Sequence, residues 1–151
     1  MSKKELIVSA IKEGTVIDHI PAKDLFKVIR ILNLENSPNT ITFGTNLQSN
    51  KLGKKAIIKI EGKFFKQEEI NKIALLAQQA NLNIIKDYKV VEKMKVEIPD
   101  EIVGIVKCFN PKCITNHENI TTKFTVISKD NLALKCQYCE KITDREHIEI
   151  I

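Results

Sequence analysis

The residues with the plainest chemistry are four cysteines, Cys108, Cys113, Cys136 and Cys139, and the chain has no others. Their pattern is C-x4-C-x22-C-x2-C. Two thiols a few residues apart in a tight turn can aim both sulfurs at one point. Two such knuckles make the four-thiolate set of a structural zinc ion, with Zn–S bonds of about 2.3 Å. Asn110 and Pro111, inside the first knuckle, suit that turn. Four protein ligands leave no open coordination position, so the expected single Zn2+ folds the chain and takes no part in catalysis. Two disulfides, or four free thiols, are the competing accounts. Disulfides belong to oxidising compartments. The opening MSKKELIVSAI has two lysines but no long apolar run behind them, so a signal peptide is not expected. His117 lies close to the first knuckle, but the shell is already full, and it is expected at the surface.

A second group is more dispersed. Asp18 and His19 close a strand-like run ahead of a helical one, Lys55 and Lys59 lie on another strand-like run, and Lys93 lies on the last. Cations with a carboxylate can hold a nucleotide, with lysines on phosphates and the acid on ribose hydroxyls. The plainer account is that the lysines face solvent and that Asp18-His19 caps a helix entry. Spacing alone favours the plainer account. Neither GxSxG, HExxH, GxxxxGK[ST] nor GxGxxG occurs, and no catalytic set is expected.

These side chains need elements to carry them. Residues 6–11 and 15–20 are strand-like, with a turn at Gly14 between them and Pro21 ending the second. Leu25, Ile29 and Leu32 recur at helical spacing across residues 24–34. Residues 40–47 and 54–60 read as a hairpin, with Gly44 at a bulge. Residues 67–80 read as a second helix, with Ile70, Ile73, Ala74 and Ala77 on one face. Residues 82–85 and 88–98 are strands, the latter alternating Val90, Glu92, Met94, Val96 and Ile98 on one face. Merging the first two strands into one, and the last two into one, gives βαββαβ, the ferredoxin-like unit. Pro99-Asp100 then interrupts the pattern. The expected class is α+β: a ferredoxin-like domain over residues 1–99, then a small all-β zinc-binding domain over 100–151. About fifty residues need a metal or a partner to hold a core.

The totals agree with a folded chain of 151 residues, 43% hydrophobic and 28% charged. The net charge of +5 permits an anionic partner. Four thiolates and one Zn2+ would lower it to +3. Arg30 and Arg145 are the sole arginines, which weakens a sequence-reading nucleic-acid binder. No stretch approaches the length of a transmembrane helix, so no membrane partner is expected and the cytoplasm is the expected compartment.

The segment Gly14-Thr15-Val16-Ile17-Asp18-His19-Ile20-Pro21, the strand residues Lys59-Ile60-Glu61 and the four-cysteine pattern ending in Leu134-Lys135-Cys136-Gln137-Tyr138-Cys139-Glu140 together resemble the regulatory chain of aspartate carbamoyltransferase. The resemblance covers nearly the whole chain. It implies a non-catalytic subunit of pyrimidine biosynthesis. An N-terminal allosteric domain would bind CTP, ATP and UTP, and a C-terminal zinc domain would dock on the catalytic chain through Asn110, Glu140 and Lys141. Three regulatory homodimers would bridge two catalytic trimers. By motif, Asp18 corresponds to a residue near the ribose, His19 and Lys93 to phosphate contacts, and Lys59 to a contact near base and ribose. Ile11 and Tyr88 correspond to positions whose backbone reads the base, Val16 and Val90 to pocket lining, and Lys55 to a peripheral cation. The resemblance departs at Ser9 and Lys112. Without it, a nucleic-acid-binding zinc ribbon is the alternative.

Overall fold

The structure is a computed structural model that describes residues 10–151. The strand expected over 6–11 lies almost wholly outside the described residues, as does Ser9. The chain divides into two compact units, residues 1–97 and 98–151.

The first unit is built on β1 (Gly14–Pro21), β2 (Ile41–Ser49), β3 (Gly53–Glu61), β4 (Asn81–Lys86) and β5 (Lys89–Lys95), with α1 (Leu25–Ile31) after β1 and α2 (Gln67–Ile70) after β3. The sheet order is β2-β3-β1-β4-β5, and every neighbouring pair is antiparallel. The first four strands with the two helices are the expected βαββαβ unit. Right-handed crossovers put both helices on one face of such a sheet. Leu25 and Val28 of α1, Ile70 of α2, and Ile73, Ala74 and Ala77 beyond it are buried, as are Ile17, Ile58, Ile60 and Leu82 of the sheet. Each fully buried Ile or Leu stabilises the fold by roughly 1.5–3 kcal/mol.

Gly14 opens β1 with φ 141°, and a Cβ there would run into the carbonyl oxygen of Ile60. Only glycine fits so close an approach of two backbones.

Five expectations need correction. Residues 82–85 and 88–98 are not halves of one strand. Asp87 and Tyr88, both left-handed (φ 52° and 66°), close a two-residue turn, and β5 folds back against β4. Such a turn matches the strand twist, but it usually advertises itself with Asn-Gly or Asp-Gly, and Asp-Tyr does not. Nor does β5 keep one face. Ile84 pairs with Glu92 while Ile85 pairs with Val90, so Val91 is bulged out. Val90 therefore shares a face with Lys93, and Glu92 and Met94 take the other. The helix expected over 67–80 is one α-turn, followed by a 3-10 turn (Asn71–Ile73) and tight turns. Asn71 Oδ1 accepts from Gln67 Nε2 and the Glu97 backbone N–H, both at 2.8 Å. The bonds from Ala74 N to Asn71 O, Leu76 N to Ile73 O and Ala80 N to Ala77 O close over three residues rather than four. The apolar stripe is buried as expected; the winding differs.

The first helix is shorter than the expected 24–34. Asn33, left-handed at φ 56°, ends it. The β2–β3 irregularity lies between Gly44 and Leu47, and Asn46 rather than Gly44 takes the left-handed conformation.

The second unit has a four-stranded sheet in the order β10-β9-β8-β6, from β6 (Glu101–Val103), β8 (Lys123–Ser128), β9 (Ala133–Cys136) and β10 (Ile142–Thr143). A separate ribbon pairs β7 (Val106–Lys107) with β11 (Glu149–Ile150). Its buried side chains are few: Ile102, Val106, Phe124, Leu132, Leu134, two threonines and three of the cysteines. A core of that size needs a further constraint.

Candidate metal centre and open-face site

β7 delivers Cys108 and β9 ends on Cys136. Between Cys108 and Cys113, Asn110 makes the turn: its Oδ1 accepts the Lys112 N–H (3.0 Å) and its carbonyl accepts the Cys113 N–H (3.0 Å). The Asn116 amide then ties the knuckle together, donating to the Cys108 and Asn110 carbonyls at 3.0 and 2.7 Å. In the second knuckle Glu140 is left-handed (φ 64°) and its N–H returns to the Cys136 carbonyl at 2.9 Å. The Tyr138 N–H donates to Cys136 Sγ at 3.4 Å.

The two knuckles bring all four Sγ atoms within 4.8 Å of one another. Cys108–Cys139 and Cys113–Cys136 sulfurs are each 3.7 Å apart. A tetrahedron with Zn–S bonds of about 2.3 Å has edges of about 3.8 Å, whereas a disulfide needs about 2.05 Å. All four thiols are free. The spacing fits one structural Zn2+ and excludes disulfide pairing. Burial pushes the Cys108 and Cys136 thiols up from their ordinary value. Burial also acts to raise Cys139, but hydrogen bonds from the Lys141 backbone and the Asn110 side chain outweigh it and leave that thiol at about 7. Buried thiolates without a counter-cation would repel one another, and a dication removes that repulsion. His117 is exposed, and its Nε2 pairs with the Pro111 carbonyl at 2.8 Å, not with the sulfurs.

The other candidates gather on the sheet of the first unit, on the face opposite Ile17, Ile58 and Leu82. Lys59 pairs with Val16, Val16 with Asn83, and Asn83 with Lys93. These four residues form one row across β3, β1, β4 and β5, and side chains in a row share a face. With strands spaced about 4.8 Å apart, the row spans about 14 Å. Asp18 lies two residues along β1 from Val16, opposite Asn81 of β4. A bulge follows, since Ile17 pairs with Ile58 but Ile20 with Ala56. His19 takes up the extra residue at φ 62°. The Asn81 amide nitrogen lies 3.3 Å from His19 Nδ1. An amide nitrogen only donates, so Nδ1 takes the accepting role in this contact; Asp18 Oδ2 lies 3.9 Å from the same Nδ1. Lys55 Nζ is ion-paired with Asp18 at 3.0 Å.

Ile11, Val16 and Ile85 form a small apolar cluster on this face, with Ile57 packed against it. Val90, across from Ile85, is half exposed, and Tyr88 lies in the hairpin turn. The Tyr88 N–H donates to the Lys12 carbonyl at 2.8 Å. Lys59 is only 8% exposed. Burial lowers its ammonium pKa, and the Asp18 carboxylate acts in the opposite direction.

One residue escaped sequence reasoning. Asn83 Oδ1 is buried and has no hydrogen-bond partner among the described residues. It lies in the row between Val16 and Lys93. Its signal was faint: a polar residue within an apolar run, on the face that alternation assigns to Lys93. A separate cavity of about 390 Å3, bordered by Leu32, Asn36, Lys63, Phe65 and Lys72, contains none of these residues.

A family model described as "Aspartate carbamoyltransferase regulatory chain, allosteric domain" matches residues 6–97, and one described as "Aspartate carbamoyltransferase regulatory chain, metal binding domain" matches residues 100–149. The chain belongs to the aspartate carbamoyltransferase regulatory chain family. Relatives bearing that description include one from Bacteroides fragilis, 58% identical over 150 residues, covering 99% of this chain and 98% of the relative. Another, from Pyrococcus abyssi, is 58% identical over 146 residues, covering 95% and 96%. Membership gives the chain an allosteric regulatory role in pyrimidine biosynthesis, without catalysis of its own. Among the described residues no helix is long and apolar enough to cross a membrane.

Proposed function

We propose that this regulatory chain binds nucleoside triphosphates, CTP, ATP and UTP, on the open sheet face of residues 1–99, and docks on the catalytic chain through residues 100–151. The observation that carries the reading is the cross-strand row Lys59–Val16–Asn83–Lys93, with Asp18, His19 and Lys55 beside it. The row offers cations at both ends, an apolar centre and an amide acceptor in need of a donor. Lys93 and His19 Nε2 take phosphates, Asp18 takes ribose hydroxyls, and Lys59 lies by the base and ribose. Val16, Val90 and the Ile11 cluster line the apolar part, and the Tyr88 carbonyl reads the base. A bound nucleotide then shifts the enzyme between low- and high-activity states by its differential affinity for them.

Zinc, held by Cys108, Cys113, Cys136 and Cys139, folds the docking unit and presents Asn110, Glu140 and Lys141 around the knuckles. Free thiols at chelating distance suit a reducing compartment, the cytoplasm. The regulatory chain acts as a homodimer, and three dimers join two catalytic trimers. Support for self-pairing comes from the two sheet edges. β5 carries three lysines and a glutamate, which guard an edge. β2 has no charged residue over nine positions, and beside it Phe26 and Phe43 are 63% and 44% exposed with rings edge-to-face at 5.7 Å.

A nucleic-acid role for the zinc unit is disfavoured by charge. Residues 98–151 hold seven basic and eight acidic side chains. Four thiolates and Zn2+ make that unit more acidic still. Lys107, Lys123, Lys129 and Lys135 each face a carboxylate. The basic excess of the chain lies in residues 1–97, with seventeen basic and eleven acidic side chains.

The decisive experiment mixes the zinc-loaded chain with an aspartate carbamoyltransferase catalytic trimer. A complex should form, and CTP and ATP should move its aspartate saturation curve. Failure to associate, with no nucleotide effect, overturns the reading.

A further inference from the structure

The three lysines of the open face are not equivalent. Lys59 and Lys93 lie in the row itself, whereas Lys55 lies outside it, across from Pro21. Lys55 Nζ is 3.0 Å from Asp18 Oδ1 and 3.2 Å from Oδ2, so one ammonium spans both carboxylate oxygens. The two side chains are 21% and 22% exposed. Asp18 Oδ1 also accepts the His19 backbone N–H at 2.6 Å, and the β1 bulge fixes where that N–H points.

A carboxylate has about four lone-pair sites. Lys55 engages one on each oxygen and the His19 N–H a second on Oδ1. Oδ2 thus carries fewer of these contacts than Oδ1; His19 Nδ1 lies 3.9 Å from it, and the Asp18 charge also acts on Lys59. A carboxylate torsion is broad and two-fold when nothing holds it, and without Lys55 the carboxylate would lose the one cation that spans both its oxygens.

We infer that Lys55 is a positioning residue: by bridging both Asp18 oxygens it fixes the orientation in which the carboxylate meets a ligand hydroxyl, and so makes the open face select ribonucleotides over deoxyribonucleotides. This rests on the reading of the open face as a nucleotide site with Asp18 at the sugar. It differs from a direct phosphate contact. To reach a phosphate, Lys55 would have to abandon a two-oxygen ion pair that is about four-fifths buried, and leave Asp18 without that counter-charge.

The test is calorimetric titration of the zinc-loaded full-length chain with ATP, 2′-deoxy-ATP, 3′-deoxy-ATP and ADP. A hydrogen bond to a charged acceptor separates hydroxyl from no hydroxyl by about tenfold or more. The wild-type chain should show that preference over at least one deoxy analogue. Lys55→Met should narrow it to less than about threefold while leaving the ATP-to-ADP ratio as it was, since the lost discrimination lies in one hydroxyl contact. Lys55→Arg, which can also bridge two carboxylate oxygens, should restore the preference. Lys55→Gln, which keeps a polar head without the charge, should behave as Lys55→Met and guards against a misfolded apolar variant. Variants that keep the full ribose preference overturn the inference alone, and so does a loss that falls on the ATP-to-ADP ratio instead. A wild-type chain that binds no nucleotide, or binds ribose and deoxyribose forms alike, overturns both the inference and the reading beneath it.

Discussion

The Asp18 carboxylate supports a lysine, Lys59, that is almost wholly buried. Burial acts first on that ammonium and lowers its pKa below 10.5; the Asp18 charge pulls the other way. Because the folded value lies below the unfolded one, the unfolded chain binds more protons between the two. Stability is therefore diminished at neutral pH, and the deficit is relieved as pH rises through the folded value toward 10.5. Lys59→Met should leave the nucleotide-free chain at least as stable at pH 7, since the folded surroundings on balance disfavour that ammonium while Asp18 keeps Lys55 as its ion partner. The same change should weaken ATP binding by about tenfold or more, as expected for loss of a charge-assisted contact. Thermal melts at pH 7 and pH 10 check the first part: the advantage of the variant should shrink at the higher pH. A variant that melts lower at pH 7 and keeps its ATP affinity would count against both halves.

Asn83 predicts a similar balance for a neutral side chain. Its Oδ1 is buried without a partner among the described residues, so the nucleotide-free fold gains nothing there from that acceptor. Asn83→Ala should change stability by no more than about 1 kcal/mol, within the range of minor substitutions. It should nevertheless weaken nucleotide binding several-fold, because a ligand donor that would satisfy the acceptor is lost. Paired melts and titrations separate the two effects. Equal loss in both would mean that Asn83 is a packing residue.

The contrast between Lys59 and Asn83 marks what a sequence can carry. Lys59 belongs to a run that resembles a known family, and its chemistry is visible from its type. Asn83 needed the register. Only the pairing of Val16 with both Lys59 and Asn83, and of Asn83 with Lys93, shows that the four share a row. The strands themselves were legible because Ile, Val and Thr cluster where the chain is pleated, and the cysteine knuckles because chelation imposes short spacings. The β4–β5 hairpin was not, because Asp87-Tyr88 adopts a glycine-like turn without glycine. The second helix was misjudged because its apolar stripe satisfies helical spacing while Asn71 bonds its neighbours and the backbone tightens.

The uncharged β2 edge makes a prediction about association. If a second copy extends the sheet there, a charge at the flanking aromatic pair should prevent it. Phe43→Lys, on the edge strand itself, should convert a dimer to a monomer at micromolar concentration, and Lys93→Met on the guarded side of the sheet should not. Sedimentation velocity on the zinc-loaded chain distinguishes the cases. A wild-type chain that sediments as a monomer, or a Phe43→Lys chain that remains dimeric, would remove this edge as the pairing surface.

The metal centre yields a proton count. Ligand cysteines must be thiolates, so zinc uptake releases whatever protons the free thiols hold. At pH 7 Cys139, at about 7, is half ionised. Cys108 and Cys136, both raised by burial, are protonated. Those three alone should release about two and a half protons per zinc at pH 7. Titration in two buffers of different ionisation enthalpy measures the number, and apparent affinity should climb with pH. Cys139→Ser leaves three thiolates and a poor fourth ligand. It should unfold residues 98–151 and abolish docking on a catalytic trimer. The first unit, which has its own sheet and core, should still bind ATP. If Cys139→Ser also abolishes ATP binding, the two units do not fold independently, and zinc stabilises the nucleotide face as well as the docking unit.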